Sequence, residues 1–69
     1  MHIACTSEDI ASRVLDVLRR HGATRALSWE GSSPLDERMW IHVNVEIDPT
    51  VEVAIRHDID SMAGATIAD

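Results

Sequence analysis

The chain has 69 residues, a single small domain near the lower limit at which one core stabilises a fold without disulfides or metal. A hydrophobic fraction of 45% excludes a disordered chain, and a formal charge of −6 opposes binding to nucleic acid or to anionic membranes. One cysteine allows no internal disulfide, and no apolar run approaches the roughly 20 residues that span a bilayer, so we expect a soluble chain in a reducing, cytoplasmic compartment.

A strand followed by a helix is predicted for the first part of the chain. Residues 2–5 form a short apolar run, and Thr6 or Ser7 can cap the helix that follows. Apolar residues then recur with a 3.6-residue period over residues 10–18, while the charged residues lie largely on the other side. The glycine at position 22 is a helix-ending signal.

Two strands are predicted for the middle of the chain. Residues 24–30 alternate weakly, and residues 31–37 have turn chemistry throughout. Residues 38–47 alternate strictly, which predicts a strand with one covered face and one partly wet face. The odd positions of this strand are Met39, Ile41, Val43, Val45 and Ile47, and the even positions are Trp40, His42, Asn44 and Glu46.

A second helix and a short last strand are predicted for the remaining residues. Asp48 is suited to cap the helix, and Pro49 fits its first position, where the missing N–H is not needed. Gly64 ends the helix, and residues 65–68 form the last strand. The predicted buried stripe of this helix comprises Val51, Ala54, Ile55, Ile59 and Met62.

The resulting order of strand, helix, strand, strand, helix, strand predicts an α+β fold. It is the ferredoxin-like βαββαβ two-layer sandwich, with a four-stranded antiparallel sheet and both helices on one face. The first and third strands then lie centrally, so Ile3 and Cys5 face the helices beside the odd positions of the third strand. We expect His2, Ala4 and Thr6 to share the bare face with the even positions.

With this order and the pattern MHIACTSEDIASRVLDVLRRHGA…MWIHVNVEI, the chain resembles an ACT-like domain, the ferredoxin-like regulatory module often appended to metabolic enzymes or to membrane and transport proteins. The resemblance covers essentially all 69 residues and implies one domain, residues 1–69, excised from a longer protein. Similar domains occur at the cytoplasmic C-terminus of proteins resembling the MgtC/SapB membrane family. The resemblance therefore implies a docking or regulatory domain of a larger parent protein, and it implies that this parent is an inner-membrane protein.

Ligand-binding ACT-like members usually carry a glycine in the loop between the first strand and the first helix. Here that loop reads Thr6, Ser7, Glu8 and Asp9, which we treat as a weak candidate ligand site. The missing glycine and the two carboxylates argue against capture of an amino acid's carboxylate, because like charges repel.

The even positions of residues 38–47 supply the candidate interface. Trp40 falls on the polar register of its strand, although a domain with only two large aromatic side chains normally buries them. One interpretation is that Trp40 caps one end of the sheet or packs under residues 31–37. The other is that it anchors a protein interface, since tryptophan is enriched at binding hot spots. The candidate interface residues are Trp40, His42, Asn44, Glu46 and Trp29.

Metal-ligating residue types are present, but their spacing does not define a site. Cys5 and His2 are three apart on a strand and point to opposite faces, and no CxxC or HxxxH pair occurs. His42 with His2 or Glu46 could gather a divalent ion weakly, or these residues could simply solvate the sheet. We predict no specific metal site and no cofactor. The polar residues His57, Asp58 and Asp60 are interpreted as a solvated helix face.

Catalysis is not indicated, because no third group that would orient a Cys5 and histidine pair, no oxyanion loop and no sizeable pocket can be assigned. We therefore expect a regulatory or assembly module that forms a homodimer, or docks on its parent protein, through its sheet face or edge. One alternative is a sensor of an amino acid or divalent metal, and another is an acidic inhibitor of a basic partner. The RNA-binding version of the fold is rejected, because residues 39–47 contain no arginine.

Overall fold

A computed structural model describes residues 1–33 and 36–68, and the side chains of all of these except residues 33 and 36–39. Four strands form one antiparallel sheet in the order β2-β3-β1-β4. This arrangement confirms the predicted α+β, ferredoxin-like βαββαβ layout. The elements are β1 (His2–Cys5), α1 (Glu8–Arg20), β2 (Ala26–Ser33), β3 (Asp36–Val45), α2 (Pro49–Asp60) and β4 (Ala65–Ile67).

The core lies between the two helices and one face of the sheet. Ile3 and Cys5 of β1 are fully buried beside Val43 of β3, and Val45 is nearly so, as the alternation of the strands predicts. Ile41 and Ile47 are half-buried against this core, and the side chain of Met39 lies outside the described part. The helices contribute Ala11, Val14, Val17, Leu18, Ile55 and Ile59. The core is therefore aliphatic.

The predicted loop over residues 31–37 is wrong for most of its length. β2 continues to Ser33, and β3 begins at Asp36, with Gly31 opposite Trp40 in the ladder. Glycine and serine favour turns, but pairing along β3 satisfies their backbone groups, so the sheet overrides the local preference. Residues 34 and 35 lie outside the described residues.

Three smaller differences concern the ends of elements and one core residue. β3 ends at Val45 and α2 ends at Asp60, earlier than predicted, and the turn to β4 passes through Gly64 with φ +91°. Ala54 was predicted to be buried but is exposed. The stripe that reaches the core is narrower, because α2 packs mainly through Ile55 and Ile59, which lie one turn apart.

Both helices begin with a side-chain cap. The Ser7 hydroxyl accepts a hydrogen bond from the Ile10 N–H at 3.3 Å, and the Asp48 carboxylate accepts one from the Thr50 N–H at 2.9 Å. The bonds from the Thr50 backbone and hydroxyl hold the pKa of the Asp48 carboxyl below its ordinary value. Ser7, rather than Thr6, is therefore the cap of α1.

Replacing Ser7 with alanine is expected to lower the free energy of unfolding by about 1 kcal/mol, because an N–H at the start of α1 loses its acceptor. Urea denaturation measures this change. Ser12→Ala is the matched control, since Ser12 is exposed inside the same helix, where alanine is the better helix former. Equal destabilisation by the two substitutions would contradict the capping role.

Candidate functional site

The sheet face opposite the helices is not covered by any described element. Pairing across the strands places Ala4 opposite His42, Trp29 also opposite His42, and Asn44 opposite both His2 and Leu27. Because directly opposed residues share a face, these side chains form one surface. We call it the open face, and its described members are His2, Ala4, Leu27, Trp29, Trp40, His42, Asn44 and Thr66.

Three rings form a cluster at the centre of the open face. The Trp29 ring stacks on His42, with centroids 5.4 Å apart and an interplanar angle of 16°, and on His2, with centroids 5.7 Å apart and an angle of 24°. The two imidazole centroids are 5.0 Å apart. Three different strands thus contribute one ring each, and the register of the sheet holds the rings together. We call this group the ring cluster.

The two histidines of the ring cluster are also joined by a hydrogen bond. The Nε2 atom of His42 lies 3.2 Å from the Gly31 carbonyl oxygen, and its Nδ1 atom lies 2.8 Å from Nε2 of His2. Because a carbonyl oxygen can only accept, His42 donates from Nε2, which leaves Nδ1 of the neutral ring as an acceptor. His2 then donates its Nε2–H to His42. Both neutral rings therefore carry their proton on Nε2.

The open face combines a buried histidine with exposed apolar groups. His42 is only 8% exposed, whereas Trp29 is 45% and Leu27 is 73% exposed. No described side chain of the open face is a carboxylate, although the whole chain has a formal charge of −6. This surface therefore combines exposed apolar side chains with an absence of described carboxylates.

The predicted interface residues divide into two groups. Trp29, His42 and Asn44 lie on the open face as expected, and Trp40 lies there too, half-buried and opposite Gly31. Glu46 follows the end of β3 and pairs with Arg25, with 3.8 Å between the charged atoms. Glu46 therefore belongs to the margin of the surface.

Four residues of this surface, His2, Ala4, Leu27 and Thr66, were not among the predicted interface residues. His2 was expected on the bare face, but its contact with Trp29 depends on the order of β1, β3 and β2. Leu27 alternates with Trp29 in the sequence, and this period-two signal could have identified it as a member of the same surface.

The weak candidate ligand site, Thr6 to Asp9, does not join the ring cluster. The Thr6 N–H donates to the Gly64 carbonyl at 2.9 Å, and a Cβ atom on Gly64 would lie 2.7 Å from the Thr6 hydroxyl. Thr6 therefore follows the end of β1 and packs beside the turn before β4, rather than sharing the open face as predicted. Ser7 is engaged as the helix cap, and Glu8 and Asp9 are exposed in the first turn.

Cys5 is fully buried on the helix side of the sheet, and burial raises the pKa of its thiol because the thiolate would be desolvated. The predicted position of Cys5, facing the helices, is confirmed. Within residues 1–33 and 36–68, no three His, Cys, Asp or Glu side chains converge as a metal site would require. Over the same residues, neither helix is long and apolar enough to cross a membrane.

Comparison with protein-family models, curated proteins and solved structures gives no match to this chain. The features of the molecule that bear on its function are therefore the open face and the ring cluster.

Proposed function

We propose that this chain is a non-catalytic association module of the ACT-like kind, in which the open face binds the same face of a second copy. The observation that carries the proposal is the half-exposed Trp29 ring, which is stacked on His2 and His42. A large ring that is already held in one orientation loses little conformational freedom on binding. Tryptophan in such a setting is the residue type most enriched at binding hot spots.

The distribution of charge supports a second copy of the chain as the partner that binds the open face. Two chains of formal charge −6 repel each other on average, so association needs a surface that is poor in charge. The open face meets this need, because its described side chains include no carboxylate and the nearby Glu46 is paired with Arg25. The centres of stable interfaces are likewise depleted in Asp, Glu and Lys.

The shape of the surface also suits a symmetric dimer. Two sheets can pack face to face about 10 Å apart, with the side chains of both inner faces interdigitating. A two-fold axis through the open face would bring the Leu27 and Trp29 side chains of each copy against the other, which makes the contact self-complementary. The added layer would also enlarge the small core of a 69-residue domain.

The proposed role is regulatory or assembly, with transport or catalysis supplied by a parent protein. A cytoplasmic location belongs to this proposal, and the free, buried thiol of Cys5 supports it, since single reduced cysteines are ordinary in reducing compartments. The resemblance to ACT-like domains of MgtC/SapB-type proteins adds the expectation that the parent is an inner-membrane protein.

Sedimentation equilibrium over a wide range of protein concentration tests the association directly. The expected result is a mass that approaches twice 7.6 kDa as the concentration rises, with a change of tryptophan fluorescence on dilution. Added salt should not weaken the dimer, because its contact is apolar and the copies carry like charges. A strict monomer at every concentration would overturn the proposal.

A further inference from the structure

The hydrogen-bonded histidine pair of the ring cluster is the starting point of a second inference. His2 and His42 come from the two central strands, and their facing nitrogen atoms are 2.8 Å apart on the open face. Two imidazole nitrogens held this close by a fixed backbone are near the separation of two ligands on one metal ion, and each lone pair must turn from the facing ring toward the ion. Neutral imidazole is the commonest protein ligand of late first-row metals.

The second nitrogen of His42 is already held as in a metal site. Its Nε2–H donates to the Gly31 carbonyl at 3.2 Å, which fixes the ring and leaves the Nδ1 lone pair directed at His2. Histidines that bind metals almost always donate their other N–H to a carbonyl or carboxylate. The stacked Trp29 ring adds a second restraint on the His42 ring plane.

The geometry points to a two-histidine site for Zn²⁺ or a similar divalent ion, formed by Nε2 of His2 and Nδ1 of His42. With Zn–N bonds of about 2.0–2.1 Å and tetrahedral angles, the two nitrogens would lie about 3.3 Å apart, roughly 0.5 Å further than in the hydrogen bond. His2 is half-buried, so a small rotation of its ring can supply this separation.

Metal binding moves one proton within the His2 ring and releases none. His2 changes from the Nε2–H to the Nδ1–H tautomer, so that its Nε2 lone pair is free for the ion, and His42 keeps its Nε2–H bond to Gly31. Water completes the coordination, since the described residues offer no third converging ligand. The histidine pair is not suited to the hard cations Mg²⁺ and Ca²⁺, because these ions prefer oxygen ligands. The site lies within one chain and does not require the proposed dimer.

Titration of the protein with Zn²⁺, followed by long-range ¹H–¹⁵N spectra of the histidine rings, tests the site. Without metal, both rings should give the Nε2–H pattern, and with Zn²⁺ His2 should change to Nδ1–H while His42 does not. The Trp29 indole signals should shift at the same ratio of metal to protein. Lowering the pH should release the metal, because protons compete for both ligands.

Substitutions separate this site from non-specific binding. His2→Gln and His42→Gln are each expected to reduce the Zn²⁺ affinity by about tenfold or more. His57→Gln is the matched control, since His57 is exposed on α2, and His21→Gln tests the separate pair of His21 with Asp58. His42 is buried, so circular dichroism must show that its variant is folded, and the less buried His2 gives the decisive result.

Three outcomes would overturn the inference: no Zn²⁺ binding, unchanged tautomers at saturation, or affinity that falls in His21→Gln but not in His2→Gln. Sedimentation of the same samples tests the proposed dimer separately from the proposed metal site. A monomer that binds Zn²⁺ through His2 and His42 would support the metal site and reject the dimer, and a dimer without Zn²⁺ binding would do the reverse.

Discussion

Ile55→Ala is expected to lower the free energy of unfolding by about 3 kcal/mol, within the range for deleting a fully buried isoleucine side chain. Ile55 connects α2 to the covered face of the sheet, and the loss leaves a cavity that the rigid strands cannot fill. A domain of this size has only about 3–5 kcal/mol of stability. Urea denaturation followed by circular dichroism should therefore show a transition midpoint close to zero urea, with up to about half of the molecules unfolded before urea is added.

The matched control is Val53→Ala on the same helix. Val53 is 80% exposed, and alanine is the better helix former, so this substitution should leave the stability unchanged or slightly raised. Ile55→Val, which removes one methylene, should cost about 1 kcal/mol and remain folded. An Ile55→Ala protein as stable as the Val53→Ala protein would show that α2 does not cover the sheet.

Trp29→Ala is expected to weaken self-association by about 30-fold, which corresponds to about 2 kcal/mol of binding free energy. Trp29 is the large exposed ring of the open face, and its removal also frees the two histidine rings that it contacts. Sedimentation equilibrium at several concentrations measures the change. Trp29→Phe should retain part of the affinity, because a smaller ring can still stack on His42.

Val53→Ala also serves as the control for this experiment. It removes an exposed apolar side chain from the helix side of the molecule, so the dissociation constant should not change. Circular dichroism must show that Trp29→Ala is folded, since the ring also packs within its own chain. Equal association of Trp29→Ala and the original protein would reject the ring cluster as the anchor of the interface.

The sequence was sufficient to predict the two layers. Strict alternation over residues 39–47 identified which side of the third strand is covered, and Val43 is buried as that pattern requires. The caps followed from local chemistry in the same way, because Ser7 and Asp48 each bond to an N–H only two or three residues away. Patterns of this kind depend on near neighbours in the chain, which the sequence displays directly.

The ring cluster depends on the register between β2 and β3, which the predicted loop concealed. If residues 31–37 formed a symmetric loop, residue 30 would pair with residue 38 and Trp29 would pair with residue 39. That register would place Trp29 on the covered face. The strands instead pair Trp29 with His42, and this register, shifted by three positions, holds along most of their length. An odd shift in register moves a side chain to the other face of the sheet.

The histidine pair needed a further level of information. His2 and His42 are 40 residues apart in sequence, and their contact requires that β1 lies next to β3. The sequence suggested that His42 could pair with His2 or with Glu46, but it did not decide between them or predict that Gly31 would hold the second nitrogen of His42. Ring orientation is set by packing of all three rings together, and no sequence pattern encodes it.

The most direct test of the open face as the site of self-association is a dilution series of amide NMR spectra. The proposal predicts that signals of Leu27, Trp29, His42 and Asn44 shift or broaden as the concentration rises, while those of the exposed α2 residues do not. Shifts confined to the backbone of β2 would instead indicate pairing at the sheet edge. Spectra that are identical at all concentrations, or changes confined to the helices, would contradict it.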